Sequence, residues 1–257
     1  MTKAIFFDID GTLVSFHTHK VSPAVVKALH RLHAQGIKLF ISTGRHKSML
    51  SYIRSVFPFD GCITLNGQYC FCGDQVLHRN PMSREAVQEL VSAVQTRQFP
   101  CIFLEAQDCY INRVDQRTRS FVAQLDLPMP PLTDPARALE ADLYQGVAFL
   151  SRAEEHLLLD HSPHLTVTRW HPDFLDVIPS SGGKDKGVDA LLAHFGIPPE
   201  DSMAFGDGEN DLSMLVYAGI GVAMGSASDV VKAQADYVTG TVDEDGIPSA
   251  LEHFGLL

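Results

Sequence analysis

The feature that most constrains this chain is a series of short, unbroken apolar runs, with an amphipathic segment between the first two. "AIFF" (4–7), "IKLFIST" (37–43) and "GCITL" (61–65) show no polar alternation, so a strand built from any of them has no solvent face. Between the first two, Val25, Val26, Leu29 and Leu32 recur at helical spacing. Ser22 is placed to cap that helix, Pro23 suits its first position and Gly36 suits its exit. Strands buried on both faces and separated by helices predict a parallel sheet with helices on either side. The expected class is α/β, with a doubly wound, mainly parallel sheet.

From about residue 68 the texture changes. "YCFCGDQVLHR" reads as a hairpin turning at Gly73-Asp74. A helix (83–97), strands (101–105, 109–112), a helix (115–125) and the proline-rich "LPMPPLTDP" follow. A strand (145–150), a helix (153–159) and two more strands (165–169, 173–177) complete this stretch. After "SSGGKDKG" the first texture returns, with a helix (185–195), "SMAFGDG", a helix opening at "NDLSML", "IGVAM", and a last strand at Tyr237 and Val238. The sheet begun at the N-terminus is thus expected to be finished at the C-terminus. That assigns 1–81 and 178–257 to one domain and 82–177 to an inserted second one.

Composition narrows the partners. A formal charge of −11 with no basic block disfavours nucleic acid, and any anionic substrate needs a local cation. No apolar stretch has the length of a membrane span and the N-terminus carries no signal-peptide pattern, so a cytoplasmic protein without a membrane partner is expected. No obligate protein partner is evident. Cys62, Cys70, Cys72, Cys101 and Cys109 are odd in number and lack C-x-x-C spacing, which favours reduced thiols on strands over zinc ligands or disulfides.

In an open parallel sheet, functional groups gather at the carboxyl ends of the strands. Four stretches fall at strand ends or helix starts: "DIDGT", "STGR", "GKDKG" and "GDGEND". Taken singly, each has a plain reading as a turn, a capping loop or a solvated lysine. Taken in order, they bring Asp8, Asp10, Thr43, Lys186, Asp207 and Asp211 to one crevice. Each close carboxylate pair costs on the order of 4 kcal/mol at ~4 Å and an effective dielectric near 20. A hard divalent cation resolves this, and magnesium characteristically takes few carboxylates together with water and substrate phosphate. A carboxylate beside a metal and a lysine stays ionised, so Asp8 suits a nucleophile. Asp10, beside other acids, suits a general acid. Thr43 and a lysine can hold the oxygens of an anion that gains charge during transfer. The group that fits is phosphoryl.

These four stretches resemble the motifs of the haloacid dehalogenase superfamily, in their usual order and along essentially the whole chain. The "TGR" and "GDGEND" forms, "LNG" (65–67) and "VAMGSA" (222–227) are similar to the Cof-type (subfamily IIB) sugar-phosphate phosphatases. Within that group, "FFDIDGTLVSF" and the "HFGI…GDG.ND…GVAMG" tail look most like bacterial hexose-phosphate phosphatases. The resemblance implies a Rossmann-like core with an α/β cap (82–177) that sets specificity, and a sugar phosphate as substrate. It implies that Asp8 becomes an aspartyl-phosphate, and that Asp10 protonates the departing sugar and then activates water. It implies Mg2+ held by the Asp8 carboxylate, the Asp10 carbonyl and Asp207, with Asp211 ligating directly or through water. Thr43 and Lys186 would bind phosphoryl oxygens, and Gly44, Arg45, Asn66, Gly67 and Asn210 are further substrate or phosphate contacts. "GKDKG" offers two lysines. The family pattern places the phosphate lysine directly before glycine, which selects Lys186 and leaves Lys184 as a surface charge.

Two other classes share the acidic cluster. A phosphomutase uses the same aspartyl-phosphate, and a receiver module accepts phosphate on aspartate but is about half this length and has no insertion. In the inserted region, Arg169, Trp170 and His171 form a polar-aromatic group in which Trp170 is either a sugar platform or a core residue.

Overall fold

The computed structural model describes residues 2–125, 127–160 and 162–257. The chain opens with β1 (Ala4–Phe7), α1 (Pro23–Ala34), β2 (Lys38–Ser42), α2 (Ser51–Val56), β3 (Gly61–Thr64), β4 (Tyr69–Cys72) and β5 (Gln75–Arg79). Then follow α3 (Arg84–Arg97), β6 (Cys101–Glu105), β7 (Cys109–Ile111), α4 (Gln116–Gln124), β8 (Leu143–Ala148), α5 (His156–Leu159), β9 (Leu165–His171) and β10 (Phe174–Pro179). The last part runs α6 (Lys184–Phe195), β11 (Ser202–Gly206), α7 (Leu212–Tyr217), β12 (Ile220–Ala223), α8 (Asp229–Lys232), β13 (Tyr237–Val238) and α9 (Gly246–His253).

Two compact units result, one from residues 1–79 and 183–257, the other from 80–182. The first holds an eight-stranded sheet in the order β13-β12-β11-β1-β2-β3-β4-β5. It is parallel from β13 to β3, and β4 and β5 turn back antiparallel. The doubly wound parallel sheet expected from the apolar runs is what forms. Central strand β1 is buried along its whole length, so its two faces need separate partners. Phe6 stacks on Phe40 across β2, and Phe7 stacks on Phe205 across β11, using alternate faces of the strand. Ala4, Phe6, Phe40 and Ile63 pack with Val188, Leu191 and Leu192 of α6 and with Met214 and Leu215 of α7. Helix α1 buries Val25, Ala28, Leu29 and Leu32 and packs on β2 and α9; its N-cap is Ser22, as its sequence predicts. His46 accepts the Ser48 N–H and caps a 3₁₀ turn over Lys47–Met49, and α2 begins only at Ser51.

The second unit is an antiparallel sheet, β7-β6-β8-β10-β9. Helix α3 sets Val87, Leu90, Val91 and Val94 in one core with Cys101, Phe103, Ala148, Leu175 and Val177. Its last strand continues pairing with β9 as far as Pro179, so the junctions fall at Arg79/Asn80 and Gly182/Gly183, outside the expected 82 and 177. Arg169 ties the β9–β10 hairpin together. Its Nη1 donates to the carbonyls of His171, Pro172 and Phe174, and its Nη2 to the Leu150 carbonyl and Glu155. With that side chain 8% exposed, Arg169→Ala strands these acceptors and is expected to destabilise the unit by about 3 kcal/mol. The measurement is urea unfolding followed by fluorescence of Trp170, the only tryptophan, which packs edge-on against Phe174 at 4.9 Å.

All five cysteines are free thiols on β3, β4, β6 and β7. Burial pushes Cys62 up to about 12 and raises Cys70 and Cys101 further still. Since the thiolate is the reactive form, an alkylating reagent at pH 8 should label native protein at Cys72 and Cys109, which are only partly buried, and reach the other three after unfolding. Mass spectrometry of native and unfolded samples reads this out.

Candidate active site

The charged residues gather at the carboxyl ends of β1, β2 and β11. Asp8 directly follows β1, and its N–H donates to the Phe205 carbonyl at 3.0 Å, which carries the β1–β11 pairing one residue further. That places a carboxylate, 5% exposed, at the end of the central strand. What lets it stay there is Lys184. Its Nζ donates to Asp8 Oδ1 at 2.6 Å, to Asp211 Oδ1 at 2.5 Å and to the Ser42 carbonyl at 2.9 Å, and its side chain is fully buried. The other oxygen of Asp211 accepts the backbone N–H groups of Asp207 and Gly208, so both ends of that carboxylate are held. Thr12 donates to Asp207 Oδ1 at 2.8 Å. Gly11 is the one residue type that fits beneath it. Its φ is +86°, and a Cβ there would lie 2.3 Å from Asp207 Oδ2.

Carboxylate oxygens of Asp8, Asp207 and Asp211 lie within 4.8 Å of one another. Burial pushes Asp8 up to about 7, with the charges of Asp211 and Asp10 adding to it against the pull of Lys184. Asp207 is raised well above the ordinary carboxylate range by burial and by Asp8 and Asp211. Burial also works against the Lys184 ammonium, but Asp211 and Asp8 outweigh it and hold that pKa above an ordinary lysine's. With all three carboxylates ionised beside the one ammonium, the group carries a net charge of two minus, which one divalent cation cancels. An all-oxygen donor set of this charge fits magnesium.

Asp10 lies at the edge of this group and takes a different partner. Arg45 donates from Nε to Asp10 Oδ2 at 2.8 Å and from Nη2 to Oδ1 at 2.6 Å, a two-pronged grip that fixes the plane of the carboxyl. Arg45 is itself positioned by its own turn, where its N–H donates to Thr43 Oγ1 at 3.1 Å. The Thr43 hydroxyl hydrogen is not used by that bond.

A family model for haloacid dehalogenase-like hydrolases matches residues 5–251. The chain belongs to that family. It is a Cof-type haloacid dehalogenase and an enzyme of the superfamily's phosphatase class. A candidate phosphatase of Bacillus subtilis (strain 168), YkrA, is 32% identical over 257 residues, covering 100% of this chain and 99% of that one. The solved structure of the subclass IIB sugar phosphatase BT4131 is 42% identical, covers both chains fully and superposes with a TM-score of 0.95. A haloacid dehalogenase phosphatase of Bacteroides thetaiotaomicron, BT1666, is 36% identical with a TM-score of 0.92, covering 100% of this chain and 96% of its own.

One expectation drawn from the haloacid dehalogenase pattern is overturned by the geometry. Lys184, which the sequence pattern leaves as a surface charge, is the buried lysine. Lys186, selected because it precedes a glycine, points to solvent with its side chain 55% exposed and pairs with Asp185 at 3.1 Å. The reason is the start of α6. Lys184 is its first residue, entered from Gly183 at φ +157°, a backbone region closed to most side chains. Two residues on, a helix has turned about 200°, so the two lysines cannot share a face. The glycine at 187 has a packing role instead, since a Cβ there would lie 2.4 Å from the Ile63 side chain. The signal available in the sequence was the double glycine before Lys184, which marks a chain entering a helix under constraint.

The remaining sequence candidates are also in the first unit. Asn66 and Gly67 lie in the turn after β3, Asn210 in the 3₁₀ turn Glu209–Asp211, and Gly44 between Thr43 and Arg45. Asn210 Nδ2 donates to Asn66 Oδ1 at 3.1 Å, so these two amides bond to each other. In the second unit Trp170 is half-buried against Phe174 and His171, and His171 itself stacks on Phe174 at 4.7 Å. Among the described residues no helix is long and apolar enough to cross a membrane.

Proposed function

We propose that this protein is a magnesium-dependent phosphatase of small phosphorylated metabolites, hexose phosphates foremost, working through a phosphorylated Asp8. The observation that carries the reading is the single buried ammonium of Lys184 shared by Asp8 and Asp211, beside Asp207. It is a nucleophile, a cation and a charge deficit of two in one place. Magnesium would be held by the carboxylates of Asp8, Asp207 and Asp211 and the Asp10 carbonyl, and when bound it supplies positive charge for the transferring group.

The residues divide the work as follows. Asp8 attacks phosphorus through a carboxylate oxygen, forming an acyl-phosphate as the ester P–O bond breaks. Asp10 delivers a proton to the departing sugar oxygen. It then takes one from the water that attacks the phosphorus, which returns phosphate and free Asp8. Arg45 keeps the Asp10 carboxyl oriented between these steps. Lys184 and the Thr43 hydroxyl neutralise phosphoryl oxygens as charge develops. The second unit, which in Cof-type proteins is the cap, would discriminate among leaving groups.

A panel of phosphorylated metabolites, assayed for released phosphate with and without magnesium, tests the reading. Turnover of hexose phosphates that stops on chelation and returns with magnesium supports it. Release that requires an added sugar bisphosphate would instead assign a phosphomutase, and no phosphate from any member would sink it.

A further inference from the structure

The turn after β3, Leu65-Asn66-Gly67, takes no part in the chemistry above, yet it is built at some expense. All three residues are buried and all three have positive φ, +53°, +51° and +95°. Such a value is easy for Gly67, tolerated by Asn66 and costly for Leu65. Backbone strain of this kind persists only where the surroundings enforce it, and the surroundings here are three separate catalytic loops. Towards the loop after β2, the N–H of Asn66 donates to the Thr43 carbonyl at 3.1 Å and that of Leu65 to the Arg45 carbonyl at 3.2 Å. Towards the start of α6, Gly67 is in backbone contact. A Cβ there would lie 2.0 Å from the Gly183 carbonyl oxygen and 3.2 Å from the Lys184 Cα. Towards the metal loop, Asn66 Oδ1 accepts from Asn210, the neighbour of Asp211. Gln68 braces the turn from behind, donating to the Asn66 carbonyl at 2.8 Å.

We infer that Asn66 is a positioning residue. Its left-handed turn locks the loops bearing Thr43, Lys184 and Asp211 to one another, and its amide sets the metal-binding loop through Asn210. This rests on the phosphatase reading and replaces the simpler idea that Asn66 and Asn210 contact substrate. A substrate ligand would present its amide to the pocket; here the Asn210 amide nitrogen is committed to Asn66 Oδ1. The consequence of losing the pair is a metal loop free to drift, so the affected quantity is magnesium affinity rather than sugar-phosphate affinity.

The test compares Asn66→Gly, which removes the amide but keeps a residue suited to φ +51°, with Asn210→Ala and the double variant. Magnesium binding is measured by calorimetry on the full chain, alongside KM and kcat for a hexose phosphate at saturating magnesium. Each single substitution is expected to weaken magnesium binding about tenfold, the range found for groups that orient metal ligands. The double variant should be no weaker than the worse single, because both remove one interaction. KM at saturating magnesium should move less than about twofold, an expectation that follows from the amide not reaching substrate. Additive losses, or a raised KM with magnesium affinity unchanged, would overturn the assignment. If wild-type protein binds magnesium but releases no phosphate, the phosphatase reading fails while the calorimetric comparison still decides the role of Asn66. A Gly67→Ala variant gives a second handle. It should perturb Lys184 through the Gly183 backbone and lower turnover even where its melting temperature is unchanged, and wild-type turnover in it would count against the lock.

Discussion

Asp8→Asn is expected to reduce magnesium-dependent phosphate release from hexose phosphates by roughly 10⁵-fold or more, the scale on which losing a covalent nucleophile is felt. The amide occupies the space of the carboxylate, and its oxygen can still accept from Lys184, so the change removes nucleophilicity with little change of shape. Phosphate esters resist hydrolysis strongly enough that no neighbouring group substitutes for a lost attacking oxygen. Asp207→Asn provides the contrast. It removes one charge from the trio but leaves the proposed nucleophile, so its loss should be repaired in part by raising magnesium, and that of Asp8→Asn should not. Phosphate release measured against magnesium concentration for both variants separates the two. Turnover by Asp8→Asn within a hundredfold of wild type would eliminate Asp8 as the attacking group.

The core unit was legible because its signals are redundant. "AIFF" and the "LFI" of "IKLFIST" are unbroken apolar runs, and Ser22, Pro23 and Gly36 punctuate the helix between them, so local and global preferences agree. The acidic members of the site were legible for a related reason: each sits at the end of a strand whose identity was clear. What could not be read was direction. Adjacency of lysine and glycine in "KDKG" says nothing about which side chain enters the site, because that depends on where α6 begins, and its first residue is set by the unusual backbone of Gly183. The Asn66–Asn210 and Arg45–Asp10 pairs were also hidden. Their members are 144 and 35 positions apart, and only the parallel stacking of β1, β2, β3 and β11 brings those loops together. The start of α2 is not marked by its nearest cap, because His46 caps a single 3₁₀ turn ahead of it.

The two lysines give the sharpest comparison. Lys184→Met keeps the buried stem and deletes the ammonium, leaving Asp8 and Asp211 facing each other at 8% and 1% exposure without a counter-charge. Breaking a buried ion pair from one side costs about 3–5 kcal/mol, so a marked drop in melting temperature is expected in metal-free protein. Magnesium should recover part of it, because a cation that binds only the folded state stabilises by mass action and finds a richer negative site in the variant. Turnover should not recover. In the proposed mechanism the missing ammonium stabilises phosphoryl oxygens as they gain charge, and removing one such donor costs roughly 10²–10³-fold. Lys186→Ala, on the solvent side of α6, should stay within about twofold of wild-type turnover and about 0.5 kcal/mol of its stability. Thermal melts with and without magnesium, paired with phosphate release, read all of these quantities. An inactive Lys186→Ala beside an active Lys184→Met would mean that the helix start, and with it the geometry of the whole acidic pocket, had been assigned to the wrong residue.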